Sequence, residues 1–187
     1  KRTFSFRGLN RWITGSPVIK GDSIYAHYSH GMLISVNLME EEVLFASRWY
    51  RFRLQLWLWG MADHPGLPKG VNWVTRLGGV VDNTPAVDDE KVYASTGEAL
   101  LHAVDRFSGK RLWTFICGGG CGSFSPPTIV GDIVLVTDSH GRLHAINKDS
   151  GDEEWSKDVA NALTSTPVIA GDTLYLASKE GTLYAIE

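Results

Sequence analysis

Cysteine is scarce in this chain: Cys117 and Cys121 are the two in 187 residues, too few for a disulfide framework to hold a fold. Apolar runs are short, and none approaches the roughly 18 residues that a membrane-spanning helix needs. Neither sign of charge dominates, since 18 Lys and Arg against 21 Asp and Glu leave a net charge of −3 scattered along the chain. Without a basic stripe, neither a nucleic acid nor an anionic membrane surface is expected as partner. No segment holds a 3.6-residue apolar period for long, which excludes a helical solenoid. No methionine or apolar leader opens the chain at Lys1, so a mature or excised segment is expected, with any targeting signal outside it. A phosphate-cradling glycine loop, a Ser-His-Asp order, an H-E-x-x-H pair and paired catalytic carboxylates are also lacking. The sequence therefore assigns no catalytic residue, no cofactor and no metal ligand.

What is present is glycine, 20 residues of it, together with seven tryptophans, and internal repetition accounts for both. Aligned on Pro17, Pro85, Pro127 and Pro167, each copy shows the same order of signals. A turn pair follows each proline: Gly21-Asp22, Asp89-Glu90, Gly131-Asp132 and Gly171-Asp172. Such pairs tolerate the positive φ angles of a tight hairpin. The next strands read SIYAHY, KVYAST, IVLVTD and TLYLAS, and the third strands read LISV, LHAV, LHAI and LYAI. Trp113 and Trp155 each stand 28 residues after their proline, and Phe45 has the same offset in the first copy. These strands are apolar on both faces, Ile24 and Ala26 pointing one way and Tyr25 the other, so each sheet must be sandwiched. The pattern predicts an all-β chain: a β-propeller of four-stranded antiparallel blades, four of them recognisable, in an incomplete or open ring. One domain is expected over 1–187, with repeats at about 13–48, 77–116, 123–158 and 163–187 and an anomalous segment at 49–76. Lys1–Phe6 stands where a fourth strand belongs. It is expected either to pair beside Leu183–Ile186 and close a ring, or to be the remnant of a preceding blade.

Ala103–Trp113 (AVDRFSGKRLW) fits the pattern A-x-D-x-x-x-G-x-x-x-W in full, and Ala145–Trp155 (AINKDSGDEEW) fits it with Asn147 in place of Asp. In these residues the chain resembles the pyrroloquinoline-quinone (PQQ) type, or quinoprotein-like, β-propeller repeat family. The likeness covers residues 13–48 and 77–187. It implies a blade-docking role for Ala103, Asp105, Gly109 and Trp113, and for Ala145, Gly151 and Trp155, each tryptophan packing between adjacent blades. The first copy, SVNLMEEEVLF (Ser35–Phe45), lacks both the glycine and the tryptophan. Within the family, the chain is more similar to the non-catalytic scaffold lipoproteins of outer-membrane barrel assembly than to the dehydrogenases. That likeness implies an extracytoplasmic interaction module that binds a protein or cell-envelope partner through its loops. Two alternatives stay open: a fragment of a PQQ-dependent dehydrogenase, or a carbohydrate- or small-ligand-binding propeller attached to an enzyme. In the dehydrogenases the quinone is clamped against a disulfide of two adjacent cysteines, whereas three glycines separate Cys117 from Cys121, so binding of PQQ is not expected.

Pro17 to Pro85 spans 68 residues where the other intervals are 42 and 40, a surplus of about 28 centred on Arg48–Gly70. One reading is an inserted hairpin, because Tyr50, Phe52, Leu54, Leu56 and Leu58 alternate with Trp49, Arg51, Arg53, Gln55 and Trp57. An exposed apolar ribbon of that kind is a candidate partner site. The other reading is a shortened or frame-shifted blade, of which Val71–Gly79 (VNWVTRLGG) is the closing strand and the first strands are missing.

Among polar residues, His30, Glu98, His140 and Glu180 recur at one turn position, where solvated turn residues are expected rather than a metal centre. His102 and His144 replace the tyrosine seen at Tyr184 and are expected to pack between blades. Cys117, Gly118, Gly119, Gly120 and Cys121 form the candidate ligand loop. A C-x-x-x-C pair lacks the usual redox and zinc spacing, and no histidine adjacent in sequence completes a site. The pair is either a small disulfide-closed loop or two free thiols.

Overall fold

The computed structural model describes residues 13–28, 31–40, 48–63, 65–67, 69–79, 83–118, 120–163 and 165–186. The chain forms four antiparallel sheets in sequence order. The first holds β1 (Ile13–Lys20), β2 (Ser23–Tyr28), β3 (Met32–Asn37) and β4 (Val71–Arg76), with α1 (Arg48–Leu58) inserted between its third and fourth strands. The second holds β5 (Ala86–Val87), β6 (Lys91–Ser95), β7 (Leu100–Asp105) and β8 (Arg111–Ile116). The third holds β9 (Thr128–Val130), β10 (Ile133–Thr137), β11 (Arg142–Asn147) and β12 (Glu153–Asp158). The fourth has three strands among the described residues: β13 (Val168–Ala170), β14 (Thr173–Ala177) and β15 (Leu183–Ile186).

The sheets stack face to face as propeller blades, and the core lies in the seams. Val92 and Ala94 of β6 join Tyr25, Leu33 and Trp73 of the first blade. Tyr93, between them in sequence, faces the other way and joins Val134, Val136 and Ile146 of the third. Leu135, Leu143 and Ala145 then meet Leu163 and Leu176 in the last seam. This is the period-two alternation of a strand whose faces are both covered. The first strands converge, β1 touching β5 and β5 touching β9, which places them at the inner ends of the blades. The last blade has one face open, and Val168 and Leu183 are exposed there.

The inserted segment is a helix rather than the hairpin its alternation predicts. A hairpin needs a turn at its middle, and Arg48–Leu58 offers no Gly, Pro, Asn or Asp there. Its Arg, Leu and Gln residues are good helix formers. Gly60, at φ +71°, stops the helix. The Gly60 amide donates to the Trp57 carbonyl at 2.9 Å and the Met61 amide to the Leu56 carbonyl at 2.8 Å, the paired bonds of a Schellman cap. Val71–Arg76 does close a blade, but the strands before it are not missing: β4 pairs with β3, Ile34 opposite Val74. The surplus residues fall between the third and fourth strands of the first blade, and 49–76 is not wholly outside the repeat. Lys1–Phe6 and Phe45 lie outside the described residues.

Candidate functional site

The docking motif is a joint between blades. Ala103 lies directly opposite Trp113 in the β7–β8 ladder, Ala145 opposite Trp155, and Ser35 opposite Trp73. A small side chain there leaves room for the indole beside it. The register shifts immediately after each of these pairs, a bulge that re-aims the fourth strand. Beyond the bulge, the Asp105 carboxylate accepts from the Ser108 amide at 2.7 Å and the Ser108 hydroxyl at 2.6 Å. These bonds hold its pKa below the usual carboxylate value. Asn147 does the same work, accepting from the amides of Asp149 and Ser150 at 2.9 and 3.1 Å. The turn needs a side-chain oxygen and no charge, which explains why Asn replaces Asp.

The tryptophan of one blade seats on the turn of the next. Trp113 donates its indole N–H to the Lys148 carbonyl at 3.1 Å and lies against Gly151, where an added Cβ would come within 2.6 Å of the indole. Gly151 also sits at φ +81°, so glycine is required twice over. Trp73 repeats the arrangement on the Arg106 carbonyl, at 2.9 Å, and on Gly109. Trp73 therefore holds the place that the repeat offset gives to Phe45. The difference 73 − 45 = 28 equals the insertion, so the signal was present in V-N-W at 71–73. Trp155 departs from its expected seam position and is 44% exposed. Among the described residues, no glycine turn meets its indole as Gly109 meets Trp73 and Gly151 meets Trp113. Arg106, which sequence reasoning passed over, reaches back from the docking turn to the Tyr25 hydroxyl at 3.0 Å and the Lys20 carbonyl at 3.4 Å.

A second set of links joins the inner ends. Ser95 donates to the Ser125 carbonyl at 2.8 Å, and Thr137 to the Ser165 carbonyl at 3.2 Å. His27 occupies the equivalent place in the first blade, and its Nδ1 bonds the Asn83 carbonyl. Each acceptor stands two residues before the next repeat's proline. The Asn83 side chain donates to Ser95 Oγ at 2.9 Å and to the Phe124 carbonyl at 2.6 Å, so this residue touches three blades. A cavity of about 200 Å³ opens beside it, lined in part by Ser123, Thr137 and Lys179. Burial lowers the pKa of His27 to about 4. His102, bonded through Nδ1 to Thr114 at 2.9 Å, is also lowered to about 4, chiefly by burial and further by Arg111. Both rings are thus neutral, and the Nε2 atoms of both lack a protein partner.

The glycine loop closes through a disulfide between Cys117 and Cys121, whose Cα atoms are 6.1 Å apart. Gly118 and Gly120 are exposed, and Gly119 lies outside the described residues. Folding supplies the histidine that the sequence lacked nearby: a ring nitrogen of His144, from β11 of the next blade, and the two sulfurs all lie within 4.8 Å of one another. His144 packs edge-on to Phe124, 5.4 Å between ring centres, and its Nδ1 is 2.7 Å from a Glu153 carboxylate oxygen. Among the turn residues, Glu98, His140 and Glu180 are exposed, and His30 lies outside the described residues. No metal-competent group includes them among the described residues.

The insertion exposes several large apolar side chains. Leu58, Trp59, Met61 and Leu67 are all more than half exposed, Met61 at 72%. None of residues 52–60 is buried, so this part of the insertion is not seated in the blade core.

The family model described as outer membrane protein assembly factor BamB, of the PQQ type, matches residues 56–187. The BamB of Alkalilimnicola ehrlichii is 31% identical over 173 residues, covering 91% of this chain and 39% of that protein. The BamB of Shewanella oneidensis is 28% identical over 121 residues, covering 64% of this chain and 29% of that protein. The crystal structure of BamB from Moraxella catarrhalis superposes with a TM-score of 0.69 at 21% identity, covering 93% of this chain and 46% of that one. The chain thus spans less than half of the length of each of these relatives. No helix among the described residues is long and apolar enough to cross a membrane.

Proposed function

The chain belongs to the family of the outer membrane protein assembly factor BamB, and from that membership we propose that it is a non-catalytic propeller scaffold engaging a protein partner in outer-membrane protein assembly. The observation that carries the reading is the inserted segment. Leu58, Trp59, Met61 and Leu67 are held in solvent and add nothing to the seams, where Trp73 and Trp113 already dock on the next blade. Apolar side chains of that kind are the anchors of a protein interface. The buried imidazoles support the same reading, because His102 is engaged by Thr114 within its own blade and His27 by the Asn83 carbonyl of the next, as packing groups rather than bases. An extracytoplasmic home fits both the relatives' name and the disulfide of the glycine loop.

The reading is tested by placing a photo-crosslinking amino acid at Trp59 or Met61, with Lys110 on a docking turn as control, and expressing the chain in the bacterial cell envelope. The expected result is a crosslink from the insertion, and not from position 110, to a protein of the outer-membrane assembly machinery. Labelling that is equal at all three positions, or that never reaches such a protein, would overturn it.

A further inference from the structure

The loop at Cys117 and Cys121 and the imidazole of His144 form a constellation that the scaffold reading does not use. Two sulfurs and one ring nitrogen, drawn from two adjacent blades, lie within 4.8 Å of one another. Tetrahedral zinc, with bonds of about 2.3 Å to sulfur and 2.0–2.1 Å to nitrogen, sets its ligand atoms roughly 3.5–3.8 Å apart. A carboxylate flanks each ring nitrogen of His144, Glu153 at 2.7 Å from Nδ1 and Asp138 at 3.5 Å from Nε2. Whichever nitrogen takes the metal, the other keeps the carboxylate–histidine pairing that orients a zinc-binding imidazole. The ring is buried, and both cysteines pack against the same core cluster, so the group is held from beneath by the seam. Gly118 and Gly120, next to the two cysteines, are exposed and have no side chains to oppose the parting of the sulfurs.

We propose that Cys117, Cys121 and His144 constitute a redox-gated zinc site, closed as a disulfide and opened to the metal on reduction. A dithiol reductant delivers two electrons and two protons to the Cys117–Cys121 bond. The S–S bond breaks, two thiols form, and the reductant is oxidised to its own disulfide. Zinc(II) then displaces the two thiol protons and takes two thiolates and the His144 nitrogen, with water in the fourth position. The ion ties the loop leaving the second blade to β11 of the third, replacing the covalent link it succeeds.

The test uses the whole chain, either oxidised or reduced with a dithiol that is then removed under anaerobic conditions, and titrated with cobalt(II) as a spectroscopic stand-in. The reduced chain is expected to bind one equivalent, with a thiolate-to-cobalt charge-transfer band and intense tetrahedral d–d bands that zinc abolishes by displacement. The oxidised chain is expected to show neither. X-ray absorption at the zinc edge should count two sulfurs and one imidazole in the unaltered protein, so the assignment does not depend on a His144 variant folding. Cys121→Ser, a near-isosteric change at a half-buried position, should weaken zinc binding at least tenfold and remove half of the sulfur scattering. A folded, reduced chain without the charge-transfer band, or with two sulfurs and no imidazole, overturns the proposal.

Discussion

Trp73, Trp113 and Trp155 share one place in the repeat and differ in what receives them. Trp73 and Trp113 each meet a glycine turn and donate to a carbonyl, while Trp155 meets no such turn among the described residues and is 44% exposed. Trp113→Ala, and equally Trp73→Ala, should therefore cost roughly 3–5 kcal/mol in equilibrium denaturation. Trp155→Ala should cost less than about 1 kcal/mol, as for other exposed positions. Similar losses at all three would mean that the seams contribute little. This distinction was only half legible beforehand. The motif spacing named Trp113 and Trp155 alike, because spacing records which residue stands at a repeat position and not how deeply it is buried. Trp73 was hidden by the insertion, which broke the offset by which its counterparts were found. His144 was hidden for the opposite reason: 23 positions separate it from Cys121, and only the stacking of blades brings the two together.

At the level of elements, the four-strand meander was readable because turn pairs and two-sided apolar strands are local signals. The helix was not. Tyr50, Phe52 and Leu54 alternate as a strand does, and propensity together with the absence of a central turn outweighs that alternation. Gly60 is the diagnostic residue. At φ +71° it closes the helix, so Gly60→Ala should lower helix content and cost about 1 kcal/mol, read by circular dichroism during denaturation. An unchanged spectrum and midpoint would show that the segment is not capped there. Replacing Leu58 and Met61 together with serine should leave the denaturation midpoint within about 0.5 kcal/mol of the parent, since neither is core. A larger loss would make the insertion part of the fold rather than a surface offered to a partner.

Over the whole molecule, the blades act together through their seams, and acid should separate them. His27 and His102 have folded pKa values near 4 against 6.5 for an exposed imidazole. Between those limits the unfolded chain binds the more protons, so stability is full above about pH 6.5 and falls as the pH drops toward 4. Each imidazole contributes up to about 3 kcal/mol to that fall. His27→Thr, which installs the residue that Thr137 provides in the third blade, should keep the seam bond and remove part of the acid sensitivity. Urea midpoints measured from neutral pH down to about pH 4.5 check this, and parallel curves for parent and variant would contradict it.

Whether this propeller holds a cofactor or only a partner is decided most directly by titrating the purified chain with PQQ and calcium. Binding is followed by tryptophan fluorescence, alongside a dye-linked alcohol oxidation assay. The dehydrogenases it resembles clamp the quinone on a disulfide of adjacent cysteines. Here the disulfide spans a sequence separation of 4 and sits beside His144, in a loop between two blades. The docking motif that carries the resemblance is spent on joining blades, with Gly109 and Gly151 filled by indoles. No saturable fluorescence change and no dye reduction above a chain-free control are expected. Stoichiometric quinone binding with turnover would contradict the scaffold assignment.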